Sequence, residues 1–184
     1  EKQKKTFIPL STKKVSLYVC GITPYDTTHL GHAFLYMVFD VVKRYFEYLK
    51  YDVDYTQNVT DVDDDLLARA KKNKVDWKQL GEMWTKKFLN DLIALNISSP
   101  TNYIKATDSI TEIIEIISHL QTRGFAYDVE GTLYFDVTKF GKYGDLSSYS
   151  NEEMIVLSRE RGADPDDPNK RNKLDFILWQ KSVD

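Results

Sequence analysis

ITPYDTTHLGH, residues 22 to 32, is the stretch that decides the fold. It follows an apolar, β-rich run, Val15 to Cys20, which Gly21 and Pro24 bring to an end. Beyond it, the sequence predicts a long amphipathic helix that begins near the two histidines. Its apolar residues at helical spacing are Phe34, Val38, Val41, Val42, Tyr45, Phe46 and Leu49. A strand, a turn and a helix in this order are typical of an open parallel sheet, which binds nucleotides at the carboxyl ends of its strands.

The start of the predicted helix has the chemistry of a phosphate site. Gly31 falls in the first turn and lets a ligand approach the backbone, while the unsatisfied amides and the helix dipole favour phosphate. His29 and His32, three residues apart, can face one ligand and donate hydrogen bonds to a phosphorus centre that gains charge. The alternative is a solvated helix start, because the pattern is short. A Walker loop and a GxGxxG pattern are both absent from the sequence.

Three motifs in order carry a resemblance to a known family. CGITPYD at 20 to 26, HLGH at 29 to 32 and NVTDVDD at 58 to 64 resemble the class I cysteinyl-tRNA synthetase family. That family includes the related ligase that joins cysteine to glucosaminyl-inositol in mycothiol synthesis. The resemblance runs from about Val15 to the last residues. It implies an α/β fold, the Rossmann-like class I catalytic domain, with a parallel sheet flanked by helices and a small inserted α/β connective region.

The resemblance also implies a role for each motif. His29, Gly31 and His32 would bind ATP, with the two histidines as catalytic residues. The cysteinyl-adenylate would contact Cys20, Gly21, Ile22, Thr23, Asn58, Val59 and Thr60. The expected reaction is attack of the cysteine carboxylate on the α-phosphate of ATP, which enters with magnesium, followed by transfer of the cysteinyl group to an acceptor. Positioning and charge stabilisation suffice for such a step, so no protein nucleophile is expected.

Cys20 is the single cysteine of the chain. From the residues alone, a cysteine at a strand end is usually a small buried hydrophobe. The resemblance implies instead a zinc ligand, and zinc would distinguish the thiol of cysteine from the hydroxyl of serine. A zinc site needs about three or four donors, and the sequence offers this one. His119, in an isoleucine-rich helix, is expected at the surface, not as a substitute ligand.

The acidic residues after the second motif have a structural interpretation. Asp63, Asp64 and Asp65 are expected to cap or precede a helix, because carboxylates suit a helix amino terminus. Asp61 stays open between capping and a role in the site. None of the four is assigned to magnesium.

Composition sets the class of protein. With 184 residues, 42% of them hydrophobic, and a net charge of -3, the chain indicates a soluble globular protein without a membrane span or an overall basic signal for nucleic acid. One cysteine excludes an internal disulfide and favours the cytoplasm. The chain lacks an initiator methionine and, by the resemblance, stops before the remaining zinc ligands and a KMSKS-type loop. It is therefore expected to be part of a longer enzyme and inactive by itself.

The pattern along the chain predicts two parts, residues 1 to 96 with the HLGH motif and residues 97 to 184 with the connective insertion and the start of the second half. A second strand, Val53 to Asn58, should pair in parallel with the first. A hairpin is expected with its turn at Glu130 and Gly131. Helices are predicted at 66 to 72, 77 to 95, from a cap at Asp108 to Gly124, and at 152 to 161, before a charged loop at 164 to 173.

The acceptor separates the two branches of the family. LDFILW at 174 to 179 resembles the tRNA enzymes, whose acceptor is the terminal ribose of cysteine tRNA. Ile22 and Pro24, DDDLL at 63 to 67 and ERGADP at 160 to 165 resemble the mycothiol ligases, whose acceptor is an amino sugar. Asp65 stands where the tRNA enzymes commonly have lysine. Our interpretation is a cysteine-tRNA ligase, with the mycothiol-type ligase as the alternative and a catalytically silent nucleotide-binding relative as the third hypothesis. Oligomeric state stays open.

Overall fold

The computed structural model describes residues 4 to 181, which form two compact units. One unit comprises Thr6–Ile110, and the other begins at Thr111. The division of the sequence at residue 96 stays a prediction. In the part of the chain that is described, every helix is too short or too polar to cross a membrane, and the cytoplasmic location also stays a prediction.

A three-stranded parallel sheet organises the first unit. Its strands lie in the order β1, β2, β3, so that β2 is central. One helix connects β1 to β2 and two connect β2 to β3. The elements are β1 (Lys14–Val19), α1 (Leu30–Tyr48), β2 (Asp52–Val59), α2 (Asp64–Asn73), α3 (Trp77–Ala94) and β3 (Asn102–Lys105). The predicted parallel pairing is confirmed, with Val15 opposite Val53.

The core of this unit lies on one face of the sheet. Every second residue of β2 is buried there, as expected for a strand covered on one side. Tyr36 of α1 and Phe88 of α3 pack against this face, with ring centroids 5.1 Å apart. Helices α1 and α3 therefore lie on the same face of the sheet. A second, smaller core contains Leu66 and Leu80, with residues 24 and 25 packed against it.

The helix α1 is confirmed, but its burial differs from what the apolar spacing suggests. Its buried residues are Tyr36 and Asp40. Phe34 and Val41, which belong to the predicted apolar series, are 70% and 60% exposed. Phe46, from the same series, packs against the core, so the series includes both covered and exposed positions. Apolar periodicity thus located the helix without identifying its buried face.

The second unit contains a separate antiparallel sheet. It holds α4 (Ile110–Thr122, which begins at the boundary), β4 (Ala126–Val129), β5 (Thr132–Phe135), α5 (Asn151–Glu160) and β6 (Phe176–Trp179). The predicted hairpin is confirmed as β4 and β5. Its two turn residues, Glu130 and Gly131, have φ values of 54° and 92°, the backbone of a type I′ turn. β6 pairs with β5 and was not predicted from the sequence pattern.

The helix caps confirm one acidic assignment and correct another. Asp63 caps α2 through its Oδ1 atom, which accepts a hydrogen bond from the Asp65 amide at 2.9 Å. Asp108 was predicted to cap the next helix, but it lies inside a 3₁₀ turn, Thr107–Ser109, which directly precedes α4. Asp61 accepts bonds from the amide and hydroxyl of Thr107, at 3.0 and 2.6 Å. Asp61, which follows β2, therefore caps the turn that follows the neighbouring strand β3.

Asp40 ties α1 to the segment that leads into β3. Its carboxylate accepts hydrogen bonds from Arg44 Nε at 2.7 Å and from the Ser98 amide at 2.8 Å. Arg44 in turn donates to the carbonyl of Asn96. Burial acts to raise the pKa of Asp40, but the bonds from Ser98 and Arg44 outweigh it, so the pKa lies below its usual value.

We expect Asp40→Ala to lower the free energy of unfolding by about 3 kcal/mol at pH 7, because the Ser98 amide and the guanidinium lose a charged acceptor. The folded-state pKa is depressed, so this stabilisation is present above the unfolded-state pKa and is lost as the pH falls through the folded-state pKa. Urea denaturation at several pH values measures it. As a control, Asp91→Ala removes an exposed pair with Lys87 and should cost about 0.5 kcal/mol or less. Equal losses in the two variants would contradict the assignment.

Candidate active site

The predicted site residues lie where β1 and β2 end and α1 begins. Cys20 directly follows β1, and Asn58 is the second-last residue of β2. The segment from Gly21 to Thr28 connects β1 to the helix start. In a parallel sheet the carboxyl ends of neighbouring strands share one edge, so this segment is held beside the end of β2.

Gly21 allows a close contact between the two strand ends. A Cβ atom at this position would lie 1.5 Å from the carbonyl oxygen of Asn58, so no other residue fits without moving the backbone. The Oδ1 atom of Asn58 accepts hydrogen bonds from the Gly21 amide at 2.8 Å and from the Tyr18 hydroxyl at 2.9 Å. The Thr60 amide donates to the carbonyl of Ile22 at 2.9 Å. Asn58 and Thr60 thus brace the segment after β1.

The two histidines form the amino terminus of α1. His29 is the N-cap, and its Nδ1 atom accepts a hydrogen bond from the Gly31 amide at 3.1 Å. The amide of His29 donates to Nδ1 of His32 at 3.3 Å. A nitrogen that accepts a hydrogen bond carries no proton, so both neutral rings hold their proton on Nε2. The backbone of the helix start therefore selects the tautomer of each ring.

The two rings lie against each other, with their centroids 4.2 Å apart. Partial burial, together with the neighbouring His29, lowers the pKa of His32 below its usual value. His32 is consequently neutral at pH 7, with Nε2–H as a hydrogen-bond donor. Two such donors at the positive end of a helix suit the oxygens of a phosphate.

A cleft of about 400 Å³ opens in front of the histidines. Five residues predicted for the site line it: Gly21, Ile22, Thr23, His29 and His32. Five further lining residues were not predicted as ligand contacts: Tyr25, Asp26, Thr27, Thr28 and Asp65. Four of these lie within residues 22 to 32. The position of that stretch between a strand and a helix could have predicted them as lining residues. Asp26 pairs with Arg69 of α2 at 2.6 Å, which fixes one wall of the cleft.

The other predicted residues take different positions. Gly31 lies in the first turn of α1, where an added Cβ would lie 2.8 Å from the ring of His29. Val59 is buried completely in the core, so its side chain does not face a ligand. Cys20 is exposed at the end of β1. Contacts between these residues and a substrate stay predictions.

The described residues do not form a zinc site. Among residues 4 to 181, no group of three or more histidine, cysteine, aspartate or glutamate side chains is placed to hold a metal ion. Cys20 offers a single sulfur, whereas zinc in proteins takes about three or four protein donors. Zinc at Cys20 stays a prediction, and we derive no chemical step through it. His119 is exposed on α4, as predicted.

Solved structures of two synthetases share the fold of this chain. Mycobacterium tuberculosis methionyl-tRNA synthetase in complex with methionyl-adenylate is similar with a TM-score of 0.58 and 20% identity, over 82% of this chain and 35% of that chain. A putative arginyl-tRNA synthetase from Campylobacter jejuni is similar with a TM-score of 0.50 and 15% identity, over 72% of this chain and 39% of that one. The fold is that of the class I aminoacyl-tRNA synthetase catalytic domain, as the motifs predicted.

The chain belongs to the family described as tRNA synthetases class I (C) catalytic domain, whose model matches residues 6–184. It is 47% identical over 164 residues to the L-cysteine:1D-myo-inositol 2-amino-2-deoxy-alpha-D-glucopyranoside ligase of Streptosporangium roseum, covering 89% of this chain and 40% of the relative. The ligase of the same name from Mycolicibacterium smegmatis is 44% identical over 169 residues, or 90% of this chain and 41% of the relative. The chain thus spans about two fifths of the length of these relatives.

We expect Gly21→Ala to lower the free energy of unfolding by about 3 kcal/mol, because the added methyl group meets backbone that cannot rotate away. Gly81→Ala in α3 is the matched control, since its Cβ would lie 3.4 Å from a Leu66 methyl group and alanine favours a helix. The control should keep or slightly raise the free energy of unfolding in urea. A Gly21→Ala protein as stable as the control would show that the two strand ends do not require the close contact.

Proposed function

We propose that the chain contributes the ATP and cysteine site of a mycothiol-type ligase, which activates L-cysteine as cysteinyl-AMP and transfers it to the amine of glucosaminyl-inositol. The assignment of the acceptor rests on the sequence identity of 44 to 47% to relatives that bear this ligase name. Family membership alone supports the coarser reaction, ATP-dependent formation of an adenylate. The prediction of a tRNA ligase is not confirmed, and the relatives favour the alternative.

The first half-reaction matches what the cleft offers. The cysteine carboxylate oxygen bonds to the α-phosphorus of ATP, and the bond from that phosphorus to the bridging oxygen of pyrophosphate breaks. Negative charge on the α-phosphate oxygens meets the Nε2–H groups of His29 and His32 and the amino end of α1. Both rings are held by backbone bonds before ATP arrives, so little reorganisation is needed.

In the second half-reaction, the acceptor takes the cysteinyl group from cysteinyl-AMP. Its amine attacks the carbonyl carbon of cysteinyl-AMP, the bond from that carbon to the phosphate oxygen breaks, and AMP leaves. The nitrogen releases a proton to solvent as the amide forms. A tRNA acceptor would instead attack through a ribose hydroxyl and give an ester. Asp65, on the wall of the cleft, is one of the positions where the sequence departs from the tRNA enzymes.

The test measures cysteine-dependent exchange of pyrophosphate into ATP by the gene product that carries this chain, with serine as the control substrate. Transfer is then measured with glucosaminyl-inositol and with cysteine tRNA as competing acceptors. We expect exchange with cysteine and product with the amino sugar. Product with tRNA alone would replace the proposal by the cysteine-tRNA ligase, and the absence of exchange would favour a silent nucleotide-binding relative.

A substitution at His29 separates its structural role from its chemical role. Asparagine retains an acceptor near the position of Nδ1 and is a favoured N-cap, so His29→Asn should stay within about 0.5 kcal/mol of the parent in urea denaturation. His29→Ala loses the cap and about 1 kcal/mol. Both variants lose the Nε2–H donor, and exchange should fall about 100-fold in each. Full activity in His29→Asn would mean that the ring serves only as a cap.

A further inference from the structure

Tyr36 connects the helix that carries the histidines to the strand end that carries Cys20. Its hydroxyl donates a hydrogen bond to the carbonyl oxygen of Cys20 at 3.1 Å. The residue lies in the second turn of α1 and is 1% exposed. Its ring packs on Phe88 of α3, so its position is fixed independently of the hydroxyl. One buried group of α1 therefore fixes the main chain of Cys20 relative to the start of the same helix.

Polar side chains lie near the Tyr36 hydroxyl, within a core that is otherwise apolar. Gln57 of β2 is completely buried and lies in register with Val19 and Tyr103. The Tyr55 hydroxyl donates to Gln57 Oε1 at 3.5 Å. In the part of the chain that the structure describes, Gln57 Nε2 and the Tyr103 hydroxyl are buried without a hydrogen-bond partner. Buried polar groups of this kind are destabilising, so packing alone does not explain them.

The hydroxyl of Tyr36 keeps its proton at any pH at which the protein would work. Burial raises the pKa of Tyr36 to about 12. A neutral hydroxyl is a donor, and the carbonyl of Cys20 can only accept. The bond is therefore constant and independent of pH.

We propose that Tyr36 is a positioning residue of the cysteine site, acting through its hydrogen bond to the Cys20 carbonyl to hold Cys20 in place relative to His29 and His32. The catalytic role of Tyr36 rests on the proposed function, whereas its effect on the position of Cys20 does not. The hydroxyl, not the ring, carries this role, because phenylalanine would fill the same space. The bond acts on the main chain of Cys20, directly before Gly21 of the cleft, and does not involve the caps at His29 and His32.

The test compares Tyr36→Phe with Tyr55→Phe. Each removes one hydroxyl from the same core, but the Tyr55 hydroxyl bonds to Gln57 and not to Cys20. In the exchange assay with the gene product that carries this chain, Tyr36→Phe should raise the KM for cysteine about fivefold and leave the KM for ATP unchanged. Tyr55→Phe should change neither KM. A purely structural role would lower the amount of folded enzyme in both variants without a selective change in KM.

A second measurement does not depend on the reaction. Cys20 is the single cysteine of the chain and is exposed, so a thiol reagent in metal-free buffer reports on this residue alone. In the 184-residue chain, the reaction rate should change about threefold or more in Tyr36→Phe and stay at the parent value in Tyr55→Phe.

The two measurements separate the two proposals. If the unsubstituted protein shows no exchange, the proposed function fails, and the thiol rates still decide whether Tyr36 positions Cys20. If exchange occurs but both variants match the parent in KM and in thiol rate, the positioning role is overturned and the function stands. A selective rise in the KM for cysteine with a changed thiol rate supports both proposals.

Discussion

The contact of Gly21 with the main chain of Asn58 is the constraint on which the site depends. Parallel pairing brings the ends of β1 and β2 to one edge, but only a residue without a side chain lets the segment after β1 lie against the carbonyl of Asn58. That approach brings the Asn58 side chain within hydrogen-bonding distance of the Gly21 amide. The segment then leads to the helix start with its polar groups around a cleft. Asn58 therefore braces the segment after β1, and its contact with a ligand stays a prediction.

The helix start shows how one pair of side chains serves structure and chemistry together. An α-helix leaves its first amides without partners, and here imidazole nitrogens accept two of the amide bonds at this end. Once each Nδ1 atom accepts, the proton of each neutral ring must lie on the other nitrogen, directed away from the backbone. The structural requirement of the cap therefore leaves the same two rings with hydrogen-bond donors that can meet an anion.

Local patterns predicted the elements whose determinants are local. The run from Val15 to Cys20, the breakers after it and the Glu130–Gly131 turn each contain the reason for their own structure. β3 and β6 have four residues each and depend on partners far away in the chain, so pattern alone did not assign them. The same limit applies to Asp61, whose partner Thr107 is 46 positions further on. The exposure of Phe34 and Val41 on α1 was likewise undetectable, because periodicity carries no information on what covers a face.

The buried polar side chains of this chain differ in whether their hydrogen bonds are satisfied. Asp40 and Asp175 are buried carboxylates, and each accepts at least two hydrogen bonds from neighbouring groups, so their burial is compensated within the structure. Gln57 is equally buried but retains an amide nitrogen without a partner among the described residues, at a cost of about 1 to 3 kcal/mol. An apolar residue would make the core more stable at this position. Hydrogen bonding therefore accounts for the burial of both carboxylates, whereas neither packing nor hydrogen bonding accounts for the burial of the Gln57 amide nitrogen.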